Sequence, residues 1–149
     1  MLLRANIASD KTYFLLQKYS ELLKNGADVI ELDIYQTTDN KVMVMHDAST
    51  GRTCNENLNM ESCTSTQLRE LFVNKGFENN SSFNHCKIPF FEDYLKEFKG
   101  KDVRLFVEIK SYKDSIIPLT KALIDQYEMY DQISFISFTG NQLGNLNKD

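Results

Sequence analysis

The sequence predicts an α/β protein built from parallel βαβ units, on three observations. Helix-like and strand-like stretches alternate along the chain, the pattern that produces a parallel sheet. The strand-like stretches are apolar runs without strict alternation, which suits strands buried on both faces. The length of 149 residues is enough for one domain with one sizeable core.

The elements follow in order. Residues 10–25 (DKTYFLLQKYSELLKN) carry Phe14, Leu15, Leu22 and Leu23 with Lys18 and Glu21 between them, which predicts a helix with one buried face. Gly26 stands where a left-handed cap would end it. VIELDIY (29–35) is a strand, TTDN (37–40) a turn and KVMVMHD (41–47) a second strand. So short a connection leaves two arrangements open, a hairpin or two barrel neighbours. Residues 48–87 are polar and irregular apart from a helix at 65–73, capped by Thr64 or Ser65. IPFFEDYLKEFKG (88–100) reads as a proline start, a helix and a glycine stop. DVRLFVEIK (102–110) is the clearest strand, a short run of β-branched and aromatic residues. Residues 115–130 form a helix that tolerates Pro118 only in its first turn. QISFISF (132–138) is a further strand, and residues 1–5 a short additional one.

Composition narrows the function classes. With 42% hydrophobic and 26% charged residues, the chain reads as a globular protein rather than a disordered one. A net charge of −4 argues against a general nucleic-acid binder, which is usually basic. It leaves a phosphate-ester substrate open, because a local metal ion supplies positive charge that the whole-chain sum does not show. No apolar run approaches the roughly 20 residues that cross a bilayer, and MLLRANIASDK is too short and polar for a secretory signal. The expectation is an intracellular, cytoplasmic chain. Cys54, Cys63 and Cys86 are odd in number and form no CxxC pair, which points to free thiols and a reducing compartment. A Cys54–Cys63 bridge is the alternative.

The candidate chemistry lies at strand ends. One predicted strand carries Glu31-Leu32-Asp33, the next ends in His46-Asp47, and a third ends in Glu108-Ile109-Lys110. Residues two apart on a strand share a face, so Glu31 projects with Asp33, and Glu108 with Lys110. Each piece alone has an ordinary reading: a solvent-facing pair, a turn, a surface ion pair. Their recurrence at three strand ends points to one shared site. Buried carboxylates need a partner, and carboxylate oxygens suit a hard divalent cation, Mg²⁺ or Ca²⁺.

Residues 26–55, GADVIELDIYQTTDNKVMVMHDASTGRTCN, resemble the segment that identifies glycerophosphodiester phosphodiesterases: a GAD-x-IELD block, a T-x-D turn, an HD pair and an RT-x-N loop. TSTQLREL (64–71), IPFFEDYL (88–95), LFVEIK (105–110) and ISF (136–138) resemble later segments of that family, in the same order. The similarity runs over roughly residues 4–146, and its first block is the most specific. The resemblance implies an incomplete TIM-like β/α barrel with about four to five of eight strands, one partial domain over residues 1–149 and an inserted subdomain at 50–87. It implies a divalent metal on Glu31, Asp33 and Glu108, an acid/base role for His46, and Lys110 beside the phosphate. The implied reaction cleaves a small-molecule glycerophosphodiester into glycerol phosphate and an alcohol.

The chain departs from the family in two ways. The family opens with a strand ending His-Arg-Gly, then a Glu-Asn-Thr segment. Counting back from Glu31, the matching triplet is Leu3-Arg4-Ala5, with Asp10-Lys11-Thr12 following. Arg4 then keeps the arginine, a substrate-binding residue, and Leu3 replaces the family's second acid/base histidine. His85, in the inserted loop, is the alternative source of that histidine, but the expectation is a loop histidine with no role. The strand count also falls short of the eight that a full barrel contains. This predicts a truncated or degenerate member whose open sheet edges are covered by an oligomer or another partner, or else a catalytically inactive module that binds metal or phosphate.

Overall fold

The computed structural model describes residues 5–6, 24–26, 28–79 and 86–137. Within them the strands are β1 (Ala5–Asn6), β2 (Val29–Gln36), β3 (Val42–Val44), β4 (Arg104–Ile109) and β5 (Ile133–Ile136). The helices are α1 (Ser65–Glu70), α2 (Phe91–Phe98) and α3 (Ile116–Tyr127). Four strands pair in parallel in the order β1-β2-β4-β5. β3 folds back antiparallel on the end of β2, so the short TTDN connection makes a hairpin. The result is a partial β/α barrel. Residues 10–23 of the predicted helix and the tail beyond Ser137 lie outside the described residues, as do Leu3, Arg4 and His85.

α2 and α3 cover one face of the sheet. α2 buries Phe91, Tyr94, Leu95 and Phe98, the i, i+3, i+4, i+7 stripe of a core-facing helix. These residues join Ile30, Leu32 and Ile34 of β2, Leu105, Val107 and Ile109 of β4, and Ile116, Ile117 and Ile124 of α3 in one apolar cluster. The other face differs from the sequence expectation. β4 alternates strictly, and the residues between its buried ones are exposed or half-buried. Its inner positions include the charged Glu108, which a helix-packed face would not accept.

Several boundaries also differ. The predicted second strand stops at Val44, one residue before the last bond to β2 and just ahead of the bend at 46–48. The Met45 N–H donates to Asp33 O at 3.1 Å and the Val44 N–H to Pro89 O at 3.0 Å. α1 is shorter than predicted, and Thr64 is its cap: its Oγ1 accepts from Gln67 N at 3.2 Å, while its own N–H donates to Gln67 Oε1 at 2.9 Å. α2 ends as predicted, with Gly100 at φ +73° in the left-handed region that glycine enters without strain. The 50–88 stretch brings Cys54, Met60, Leu68, Leu71, Val73, Cys86 and Ile88 against Tyr35, Met43 and Met45 of the hairpin, forming a second apolar cluster. Cys54, Cys63 and Cys86 are all free thiols, so the Cys54–Cys63 bridge is absent. No helix among the described residues is long and apolar enough to cross a membrane.

Candidate metal centre

Strand register assembles the site. β2 and β4 pair in parallel with Asp33 level with Glu108, so the two carboxylates are neighbours across the ladder on the face that the helices leave open. Glu31 lies two residues before Asp33 on the same face. One carboxylate oxygen from each of Glu31, Asp33 and Glu108 lies within 4.8 Å of the others. Asp33 is only 2% exposed and Glu108 is 13% exposed. Lys110, one residue past β4, places Nζ 3.2 Å from Asp33 Oδ1 and 3.8 Å from Glu108 Oε1.

Neither Asp33 oxygen takes part in a hydrogen bond within the protein, so the Lys110 contact is an ion pair outside hydrogen-bond geometry. Burial, reinforced by the neighbouring Glu31 charge, raises the Asp33 carboxyl above its ordinary range despite Lys110. Burial raises Glu108 as well, opposed by Lys110 and reinforced by Asp33. Among the described residues, the ammonium set against Asp33 and Glu108 is that of Lys110. An all-oxygen donor set with buried, unbonded oxygens fits a hard cation.

The remaining residues lie around this cluster. His46, in the bend after β3, has its ring Nδ1 2.6 Å from Asp47 Oδ1, and its charge lowers the Glu108 carboxyl. Asp47 in turn accepts from Arg52 Nε at 2.6 Å. β1 brings Asn6 level with Glu31. Glu31 and Asp33 lie inside β2 and not at its end as the sequence suggested, Glu108 lies near the end of β4 and Lys110 just beyond it, and His46 is within electrostatic reach.

Sequence reasoning passed over two residues here. Tyr35 follows Asp33 by two on the same strand face, so the period-2 rule would have found it. Its phenol is pushed up to about 12 by burial and by the negative charges of Asp33 and Glu61. Glu61 accepts from the Ser111 hydroxyl and from Tyr112 N–H at 3.2 Å, and Lys113 Nζ reaches Glu61 O at 2.7 Å. Glu61 thus ties the 50–87 segment to the loop after Lys110, and no local pattern in its polar surroundings marks it. A cavity of about 360 Å³ lined by Asp28, Lys101, Arg104 and Asp131 lies at the N-terminal ends of β2 and β4, opposite the carboxylates. The active sites of β/α barrels lie at the C-terminal ends.

Comparison with known proteins bears on the whole arrangement. The model of the glycerophosphoryl diester phosphodiesterase family matches residues 15–138. The glycerophosphodiester phosphodiesterase of Caldanaerobacter subterraneus subsp. tengcongensis is 28% identical over 134 residues, covering 87% of this chain and 54% of that protein. The crystal structure of glycerophosphodiester phosphodiesterase from Agrobacterium tumefaciens superposes with a TM-score of 0.74 at 25% identity, over 87% of this chain and 54% of that one. An Oleispira antarctica phosphodiesterase, solved in complex with the product sn-glycerol-3-phosphate, gives a TM-score of 0.75 at 17% identity, over 87% and 53%. At that identity the likeness is one of fold. This chain spans about a third to a half of the length of the curated relatives it matches. The solved structures assign the sheet to a TIM-like barrel of which this chain forms part.

Proposed function

This chain belongs to the glycerophosphoryl diester phosphodiesterase family, and on that premise we propose that it hydrolyses a small-molecule glycerophosphodiester to glycerol phosphate and an alcohol, with Mg²⁺ or Ca²⁺ as cofactor. One observation supports this reading above the others: carboxylate oxygens of Glu31, Asp33 and Glu108 lie within 4.8 Å of one another, with the Lys110 ammonium beside two of them. An anionic phosphodiester approaches such a face only once its charge is neutralised.

In this reading Glu31, Asp33 and Glu108 hold the cation. A bound divalent cation polarises a phosphoryl oxygen and lowers the pKa of an attacking oxygen. Lys110 offers a point charge to the negative charge that develops on the phosphoryl group, and Arg4 binds the same anion. His46 moves a proton to or from an oxygen on phosphorus, the task for which imidazole is suited near neutral pH. Residues 50–87 act as the inserted subdomain, with Glu61 fixing the loop beside Lys110.

A second reading is favoured by Leu3, which replaces the family's other acid/base histidine and cannot exchange a proton. The chain would then bind a cation or phosphate without turnover. Release of glycerol phosphate from a glycerophosphodiester separates the two. The first reading expects turnover that stops with chelator and falls about 10²–10⁴-fold in His46→Ala. Cation-dependent stabilisation with no turnover establishes the second, and turnover that survives His46→Ala removes His46 from the mechanism.

A further inference from the structure

His46 and Asp47 are adjacent in sequence, and adjacent side chains in an extended strand point to opposite faces. Here the strand ends at Val44 and the chain bends at 46–48, which lets the two side chains meet, Nδ1 to Oδ1, at 2.6 Å. The second Asp47 oxygen, Oδ2, accepts from Arg52 Nε at 2.6 Å. Arg52 stands on a built platform, the 3₁₀ turn Thr50–Arg52. Thr50 is fully buried; its Oγ1 donates to Glu56 O at 2.7 Å and accepts from Leu58 N at 2.9 Å. The Gly51 N–H donates to Asn57 Oδ1 at 3.1 Å, and a Cβ at Gly51 would fall 2.5 Å from that same oxygen. These bonds brace the turn, and Arg52 at its end donates to Asp47.

This chain of contacts has little to offer stability. The side chains of His46, Asp47 and Arg52 are 36%, 28% and 52% exposed, and ion pairs that wet contribute about 0–1 kcal/mol. What the geometry does supply is orientation. A carboxylate accepts and cannot donate, so an ionised Asp47 selects the imidazole tautomer with its proton on Nδ1. The Arg52 hydrogen bond holds Asp47 below the usual carboxylate range, which keeps it ionised. The charged groups facing the His46 ring are Asp47 beside it, Arg52 behind Asp47, and Glu108 across the site.

We propose that Arg52 and Asp47 are positioning residues for His46: Arg52 fixes the Asp47 carboxylate, Asp47 holds the Nδ1 proton, and Nε2 is the nitrogen that exchanges a proton with substrate. When Nε2 takes a proton from an oxygen, the ring becomes a cation beside an Asp47 that stays ionised. Giving that proton to a leaving oxygen restores the neutral ring. The role of Nε2 rests on the phosphodiesterase reading; the tautomer and the relay do not.

Nitrogen-15 NMR of the full chain tests this. The sequence has two histidines, and His85→Ala assigns the signals. At a pH where the ring is neutral, the expected spectrum has the His46 proton on Nδ1, protected from exchange. Asp47→Ala moves the proton to Nε2 in most molecules. Arg52→Ala leaves the melting temperature nearly unchanged but speeds exchange of the Nδ1 proton, and Arg52→Lys slows it again. Asp47→Asn should lower kcat by no more than the roughly 10²–10⁴-fold expected of His46→Ala, with little change in KM, as when an acid/base histidine loses its orienting carboxylate. A wild-type proton on Nε2, or an unchanged tautomer in Asp47→Ala, overturns the proposal. A wild-type chain without turnover overturns the phosphodiesterase reading, while the NMR result still decides this one.

Discussion

Asp33 and Asp39 lie six positions apart, one on β2 and one in the turn beyond it, and their surroundings are opposite. Asp39 is fully provided for: it accepts from Ser65 N at 2.8 Å, Ser65 Oγ at 2.6 Å and Thr37 Oγ1 at 2.6 Å. Burial pushes its carboxyl up, but those hydrogen bonds outweigh burial and hold it down at about 2. Asp33 is more deeply buried, has no hydrogen bond to either oxygen, and is raised by burial and by Glu31. A carboxylate that the protein satisfies internally belongs to the scaffold. A buried one left among its own kind is held ready for a positive charge from outside.

Asp33→Asn should break this contrast most completely. It removes a cation oxygen and a repelled charge together. We expect loss of all cation-dependent stabilisation and a fall in turnover of more than about 100-fold, the upper range for losing an outer partner of a metal ligand. Thermal melts and initial rates check both. Lys110→Met comes next. It removes the ammonium beside Asp33 and should destabilise the cation-free protein by about 2 kcal/mol in urea unfolding. That is below the full buried-pair figure because Lys110 is 23% exposed and Asp33 can take up a proton instead. Added cation should narrow the gap.

The scaffold side of the contrast predicts smaller effects with a different pH signature. Asp39→Ala should cost about 1.5 kcal/mol near pH 7, the low end for hydrogen bonds to a charged group, because the site is exposed. Its folded carboxyl is depressed relative to an unfolded value of about 3.9. The stability it contributes is therefore complete above roughly pH 4 and disappears as pH falls through about 2. The difference between Asp39→Ala and wild type should shrink over that window. Thr64→Ala, which removes the α1 cap, should cost about 0.5–1 kcal/mol without such pH dependence.

The same contrast explains what the sequence disclosed. Asp33 and Glu108 were legible because each is a charged residue set within a conspicuous apolar run, and strand periodicity places such residues on a shared face. The hairpin was one of two open arrangements, since the turn length does not say whether β3 returns along β2. The end of β3 was misplaced because Met45 is as apolar as Met43, while what ends the strand is the bend at 46–48, which turns the chain away from β2. Asp39 read as part of a turn, but its bonds to Ser65 bridge 26 positions. Glu61 meets Ser111 and Tyr112 across some 50 positions. Partners that far apart leave no mark on a local pattern.

The most direct measurement is a thermal melt of the full chain titrated with Mg²⁺ or Ca²⁺, with Asp33→Asn beside it. A pocket formed by Glu31, Asp33 and Glu108 predicts a rise of about 5–10 °C at a hundredfold excess over Kd, absent from the variant. A wild-type curve that neither ion moves, or a rise that Asp33→Asn shares in full, would contradict the assignment of these carboxylates to a cation.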